Sequence, residues 1–176
     1  NSRILFRDFT FKRPYSVRRI LKALNADCVL PAIDPARILF GFGAGWQEHI
    51  QAYQKADIIL DPFPHTGGVT SMEQIYMGVP IITRYGKNTA GRLTSSLLTA
   101  IGRTEWIAKD ADEYVAKAVA LAKDIPAIDS ARKTLRKELP KSPAISGYVN
   151  SVEKAYLEMW QKHLTLDKKP EAVLYA

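Results

Sequence analysis

Residues 58–83 read IILDPFPHTGGVTSMEQIYMGVPIIT, and their punctuation sets the fold. The apolar triplet 58–60 reads as a short buried strand. Pro62, Pro64, Gly67 and Gly68 bar a helix over residues 61–68. A helix over 70–77 stops at Gly78, and Pro80 opens a second strand over 81–83. Strand, helix and strand at this spacing form one unit of a parallel sheet.

The same grammar extends in both directions. Upstream, residues 4–6 read as a strand, 15–24 as a basic helix and 37–40 as a strand; glycines up to Gly45 then lead into a helix over 47–56. Downstream, a polar loop over 84–91 precedes a helix whose apolar face is Leu93, Leu97, Leu98 and Ile101, closed by Gly102. Asp110 with Glu113 has the spacing of a capping box for a helix reaching Lys123. Residues 130–139 are helical by composition and stop at Pro140. A last helix over 149–163 puts Val152, Tyr156, Met159 and Trp160 on one side, a stripe that needs a partner surface. The alternation predicts an α/β fold, a mostly parallel sheet with helices on both faces. The expected division is a lobe over 1–147, a terminal helix over 148–166 and a frayed tail over 167–176.

At 176 residues and 47% hydrophobic composition the chain is the size of one domain with a substantial core. Its apolar runs are far shorter than the roughly 20 residues that span a bilayer, and no signal peptide opens it, so no membrane partner is expected. Cys28 stands alone, which excludes an intramolecular disulfide and a multi-cysteine zinc site and fits a reducing compartment; the expected location is cytoplasmic. The net charge is +7, with Arg3, Arg7, Lys12, Arg13, Arg18, Arg19 and Lys22 clustered at the start. That cluster reads as a solvated or partner-facing surface, or as an anion site. No nucleic-acid signature accompanies it, and no nucleic-acid partner is expected.

Ligands of open parallel sheets bind beyond the carboxyl ends of the strands. Two loops there carry candidate residues. The first, residues 41–49, has three glycines that allow close backbone approach, with Trp46 and His49 offering a stacking face and a hydrogen-bonding ring. A flexible turn explains it equally well. The second, residues 61–70, enters a helix at Gly67, Gly68 and Thr70, where unpaired amides and the helix dipole favour a phosphate. Its rival is a capping box formed by Thr70 and Glu73. Lys87, Arg84 and Arg92 read either as donor-side cations or as solvated and ion-paired groups. Phosphate-loop, dinucleotide, nucleophile-elbow and metal-ligand motifs are all missing, and no metal is expected.

Taken in order, Glu48-His49, Ala56 through Pro64, Gly67 through Glu73, Met77 through Thr83, Ala90 through Leu98, Glu113-Tyr114, Ser142-Pro143 and the set Glu153, Tyr156, Met159, Trp160 resemble the carboxyl-terminal half of the O-linked N-acetylglucosamine transferase family. The resemblance covers about residues 1–163. It implies a GT-B architecture of two Rossmann-like lobes, this chain being the carboxyl-terminal, donor-nucleotide lobe. It places Ala44 and Trp46 at the uracil, His49 at the nucleotide, Gly67, Gly68 and Thr70 at the diphosphate and Glu73 at the ribose hydroxyls. Trp46 and Val69 depart from the family's usual lysine and threonine, and the basic residue usual near Ala52 is missing.

The implied reaction is metal-independent, inverting transfer of N-acetylglucosamine from UDP-N-acetylglucosamine to protein Ser or Thr. The resemblance assigns no catalytic residue to this chain; the lysine it implies would lie upstream, with an amino-terminal lobe and tetratricopeptide repeats as partners. The opening Asn1-Ser2-Arg3, directly before a strand, fits a truncated chain of low activity. The stripe on the last helix, which in a GT-B protein crosses back onto the amino-terminal lobe, would be partly unpartnered in such a chain and is a place for self-association into a homo-oligomer. The alternatives are a non-catalytic nucleotide-binding or interaction module, and another GT-B enzyme, such as a sugar-nucleotide epimerase or a GDP-fucose-using O-fucosyltransferase.

Overall fold

The computed structural model describes residues 2–26, 33–43 and 45–166. Cys28, Ala44 and the 167–176 tail lie outside them. The chain falls into two compact units, residues 1–57 and 58–176.

In the first unit, β1 (Ile4–Arg7) and β2 (Ile38–Gly41) pair in parallel, with Ile4 opposite Ile38 and Phe6 opposite Phe40. Phe6 and Phe40 stack at 5.7 Å, and Phe11 meets Phe40 edge-on at 5.1 Å, so three rings supply the local core. Asp8 caps the 3-10 turn Phe9–Lys12, and α1 (Pro14–Ala26) starts on a proline. After β2 comes α2 (Trp46–Ala52), which ends four residues before the expected limit and tightens into the 3-10 turn Tyr53–Lys55.

In the second unit, β3 (Ile59–Leu60), β4 (Ile81–Arg84) and β5 (Ile107–Ala108) form a parallel sheet in that order. Between them in the chain run α3 (Val69–Tyr76) and α4 (Leu93–Ala100); α5 (Ala111–Lys123), α6 (Ile125–Glu138) and α7 (Pro143–Leu166) follow. The core closes around Ile75, Ile81, Ile82, Leu98 and Leu135, all fully buried. β3 is less buried than its apolar run suggests, because successive side chains face opposite ways: Ile59 packs on the core and Leu60 is exposed.

The helix ends follow their sequence signals. Gly78, at φ +80°, donates to the Ile75 carbonyl while Val79 donates to Gln74, the Schellman pattern that satisfies the last carbonyls of α3. Asp110 accepts the Glu113 amide at 2.8 Å, and Glu113 accepts the Lys109 amide at 2.8 Å. Replacing Asp110 by alanine is expected to cost about 1 kcal/mol in urea unfolding, the usual worth of an N-cap. The last helix starts at Pro143, five residues before the expected 148, and Tyr156, Met159 and Trp160 on it are exposed. Among the described residues no helix is long and apolar enough to cross a membrane.

Candidate functional site

The loop leaving β3 is held from behind by a buried polar cluster. Asp61, 2% exposed, accepts the Gly67 amide at Oδ1 (2.9 Å) and the Thr83 hydroxyl at Oδ2 (2.6 Å). Thr94 donates its hydroxyl to the Gly67 carbonyl at 3.0 Å, so Ser71, 2.8 Å away, is left to donate to Thr94. Thr66 donates its amide and hydroxyl to the Ala90 carbonyl. Buried hydroxyls matched to carbonyls and a carboxylate fix the loop.

Gly67 is needed for its size. A Cβ there would run into Ser71 Oγ and stand 3.0 Å from Thr70 Oγ1, so the loop and the first turn of α3 close together only over a glycine.

That turn is presented without a side-chain cap. Gly68 is the N-cap of α3 and Thr70 lies inside the helix, so the capping box considered as a rival reading does not form. Ser71 and Met72 return their amides to the Gly68 carbonyl, and no described residue accepts the amide hydrogens of Gly68, Val69 or Thr70. These donors sit at the positive end of the helix dipole. Glu73, three residues past Thr70, is on the same side of α3. The structure therefore brings Gly67, Gly68, Thr70 and Glu73 together.

Burial raises the Asp61 carboxyl above the ordinary range, against the lowering effect of Thr83, Gly67, Thr94 and His65. Tyr114 donates to the Asp61 main-chain carbonyl at 2.9 Å. Burial, with the Asp61 charge, pushes its phenol up to about 12, so it remains a donor at neutral pH.

In the first unit, Trp46 opens α2 and is 67% exposed. Its ring lies 6.0 Å from that of His49, which meets Tyr53 edge-on at 5.2 Å and holds Nε2 3.0 Å from the Tyr53 hydroxyl. Tyr53 is buried, so the three rings step outward along one helix face from a fixed base. Arg7 braces the glycine loop: its Nη2 donates to the Glu48 carbonyl at 3.2 Å, and a Cβ on Gly43 would run into it. Ala44 lies outside the described residues. Among the described residues no group of three or more His, Cys, Asp or Glu is placed to hold a metal ion.

The sequence pattern of glycosyl transferase family 41 matches residues 14–152. The chain belongs to that family. Among family 41 relatives, the probable UDP-N-acetylglucosamine–peptide N-acetylglucosaminyltransferase SPINDLY of Hordeum vulgare is 42% identical over 118 residues, 66% of this chain and 12% of that protein. The UDP-N-acetylglucosamine–peptide N-acetylglucosaminyltransferase of Caenorhabditis elegans is 31% identical over 138 residues, 77% of this chain and 12% of that protein. A mutant O-GlcNAc transferase of Thermobaculum terrenum superposes with a TM-score of 0.78 at 29% identity, covering 91% of this chain and 30% of that one. The matched region is thus about an eighth of the curated relatives' length. The family and the α/β, GT-B class are those expected from the motifs.

In this family 41 chain, the supports of the loop are less visible in sequence than the loop itself. Thr83, Thr94 and Tyr114 lie 22, 33 and 53 residues from Asp61, and although each falls in a stretch that carries the family resemblance, no local pattern ties it to Asp61. The readable sign is Asp61 itself, an acid directly after an apolar strand.

Proposed function

We propose that this chain is the donor-nucleotide lobe of a glycosyltransferase that moves N-acetylglucosamine from UDP-N-acetylglucosamine to a protein Ser or Thr hydroxyl. The observation that carries the reading is the uncapped start of α3, with three consecutive amide hydrogens unclaimed and Glu73 one turn along. Family membership and the printed activities of the relatives support it.

In this reading the amides of Gly68, Val69 and Thr70 and the Thr70 hydroxyl donate to diphosphate oxygens. Charge grows on the diphosphate as the glycosidic bond breaks, so donors fixed in advance lower the barrier by stabilising the leaving group. No metal is required for this task. Glu73 accepts from ribose hydroxyls in charge-assisted hydrogen bonds. By the family resemblance, Ala44 and Trp46 are assigned to the uracil and His49 to the nucleotide. The lysine and the acceptor-binding lobe implied by the resemblance act from outside the matched residues.

Calorimetric titration of the chain with UDP and with GDP tests this. UDP should bind more tightly than GDP, and Glu73→Ala should weaken UDP binding about tenfold, the loss of one charge-assisted contact. A preference for GDP would redirect the donor assignment. An unchanged affinity in the variant would remove Glu73 from the site.

A further inference from the structure

We propose that Asp61 and Thr83 are positioning residues that aim the Gly68 amide at the donor diphosphate. The inference rests on the donor reading and names what holds its phosphate-facing backbone in place.

The peptide groups on both sides of Gly67 are committed inward. The Gly67 amide is held by Asp61 Oδ1 at 2.9 Å, and the Gly67 carbonyl by the buried Thr94 hydroxyl at 3.0 Å. In a trans peptide the C=O and N–H point in opposite directions. Pinning the Gly67 carbonyl onto Thr94 therefore turns the Gly68 amide away from the protein interior, and no described residue accepts it.

Asp61 can hold its side of Gly67 only if its own carboxylate cannot rotate. Thr83 prevents that rotation, donating to Oδ2 at 2.6 Å from β4, the middle strand of the three-stranded sheet, where it is fully buried. The Tyr114 hydroxyl fixes the Asp61 main chain at 2.9 Å. A line of contacts thus runs from the buried central strand of the unit, through one carboxylate, to the amide at the start of α3. Preorganised donors need such a supporting shell, because a small misalignment weakens each hydrogen bond.

The test uses Thr83→Val, which keeps the shape of the side chain and removes its hydroxyl, and Thr83→Ser, which keeps the hydroxyl. Dissociation constants for UDP and for uridine, which has no phosphate, are read by NMR titration of the chain. Thr83→Val is expected to weaken UDP about tenfold and leave uridine unchanged, and Thr83→Ser to restore UDP binding. A support for the fold alone would lower the melting temperature of both variants without changing the ratio of UDP to uridine affinity, and that result overturns the proposal. So does equal weakening of the two ligands. If the parent chain does not bind UDP, the donor reading itself fails and takes the positioning role with it, an outcome visible before any variant is made.

Discussion

Gly78→Ala is expected to lower the unfolding free energy by about 3 kcal/mol, roughly twice the loss from Gly102→Ala. Both glycines close a helix in the left-handed region, Gly78 at φ +80° and Gly102 at φ +75°. An alanine in that region costs about 1–2 kcal/mol. The positions differ in what surrounds them. A Cβ at Gly102 meets nothing within 4 Å, whereas one at Gly78 would stand 2.7 Å from the Arg132 carbonyl oxygen and 3.1 Å from its Cα. These are backbone atoms in the middle of α6, flanked by the buried Ala131 and Leu135, so they cannot move aside as a side-chain tip can. Forcing α3 and α6 apart adds an overpacking cost of about 1–3 kcal/mol. Urea denaturation of the two variants isolates this second contribution. Equal losses at the two glycines would mean that the contact between the helices yields freely.

Gly78 also shows what is legible from sequence. A glycine after a helix-period segment, with a proline two residues on, identifies a helix stop from local chemistry alone, as does Gly102. The capping pattern of α5 is readable for the same reason, since its hydrogen bonds join Asp110 and Glu113 to amides at most four residues away. α6 begins five residues before the expected start although its signal is present: Asp124 accepts the Ala127 amide and Pro126 sits in the first turn. β5 has no counterpart among the expected strands: β3 is as short, but prolines and glycines follow it closely, whereas no such punctuation follows β5. The failure at α3 has a different cause. Thr70 and Glu73 have the spacing of a cap, yet the helix starts one residue earlier because Gly67 is held on both sides by Asp61 and Thr94. A local pattern lost to contacts made across the fold. The residues proposed for the site stand out in the sequence, while the contacts that give their backbone its direction do not.

Asp61→Ala is the second large effect, expected to cost about 2–4 kcal/mol. It strands the Gly67 amide and the Thr83 hydroxyl in the interior, and each unsatisfied buried donor costs about 1–3 kcal/mol, part of which the Thr83 hydroxyl recovers by rotating. Asp61→Asn should be much milder, since the amide oxygen still accepts from Gly67 and the amide nitrogen can donate to Thr83 Oγ1. The asparagine variant should also differ from the parent in pH dependence. Burial raises the Asp61 carboxyl in the native state, so between the ordinary value near 3.9 and the raised native value the folded chain binds the proton more tightly than the unfolded chain. The parent therefore loses stability as pH rises through that window, and above it bears the full cost of a buried carboxylate. An asparagine side chain cannot ionise, so Asp61→Asn escapes that loss. Unfolding free energies of parent and Asp61→Asn, compared at pH values below and above the window, should therefore shift in favour of the variant as pH rises. A shift in the other direction would show that the Thr83 and Gly67 hydrogen bonds outweigh burial, and that the carboxylate contributes to stability through its charge.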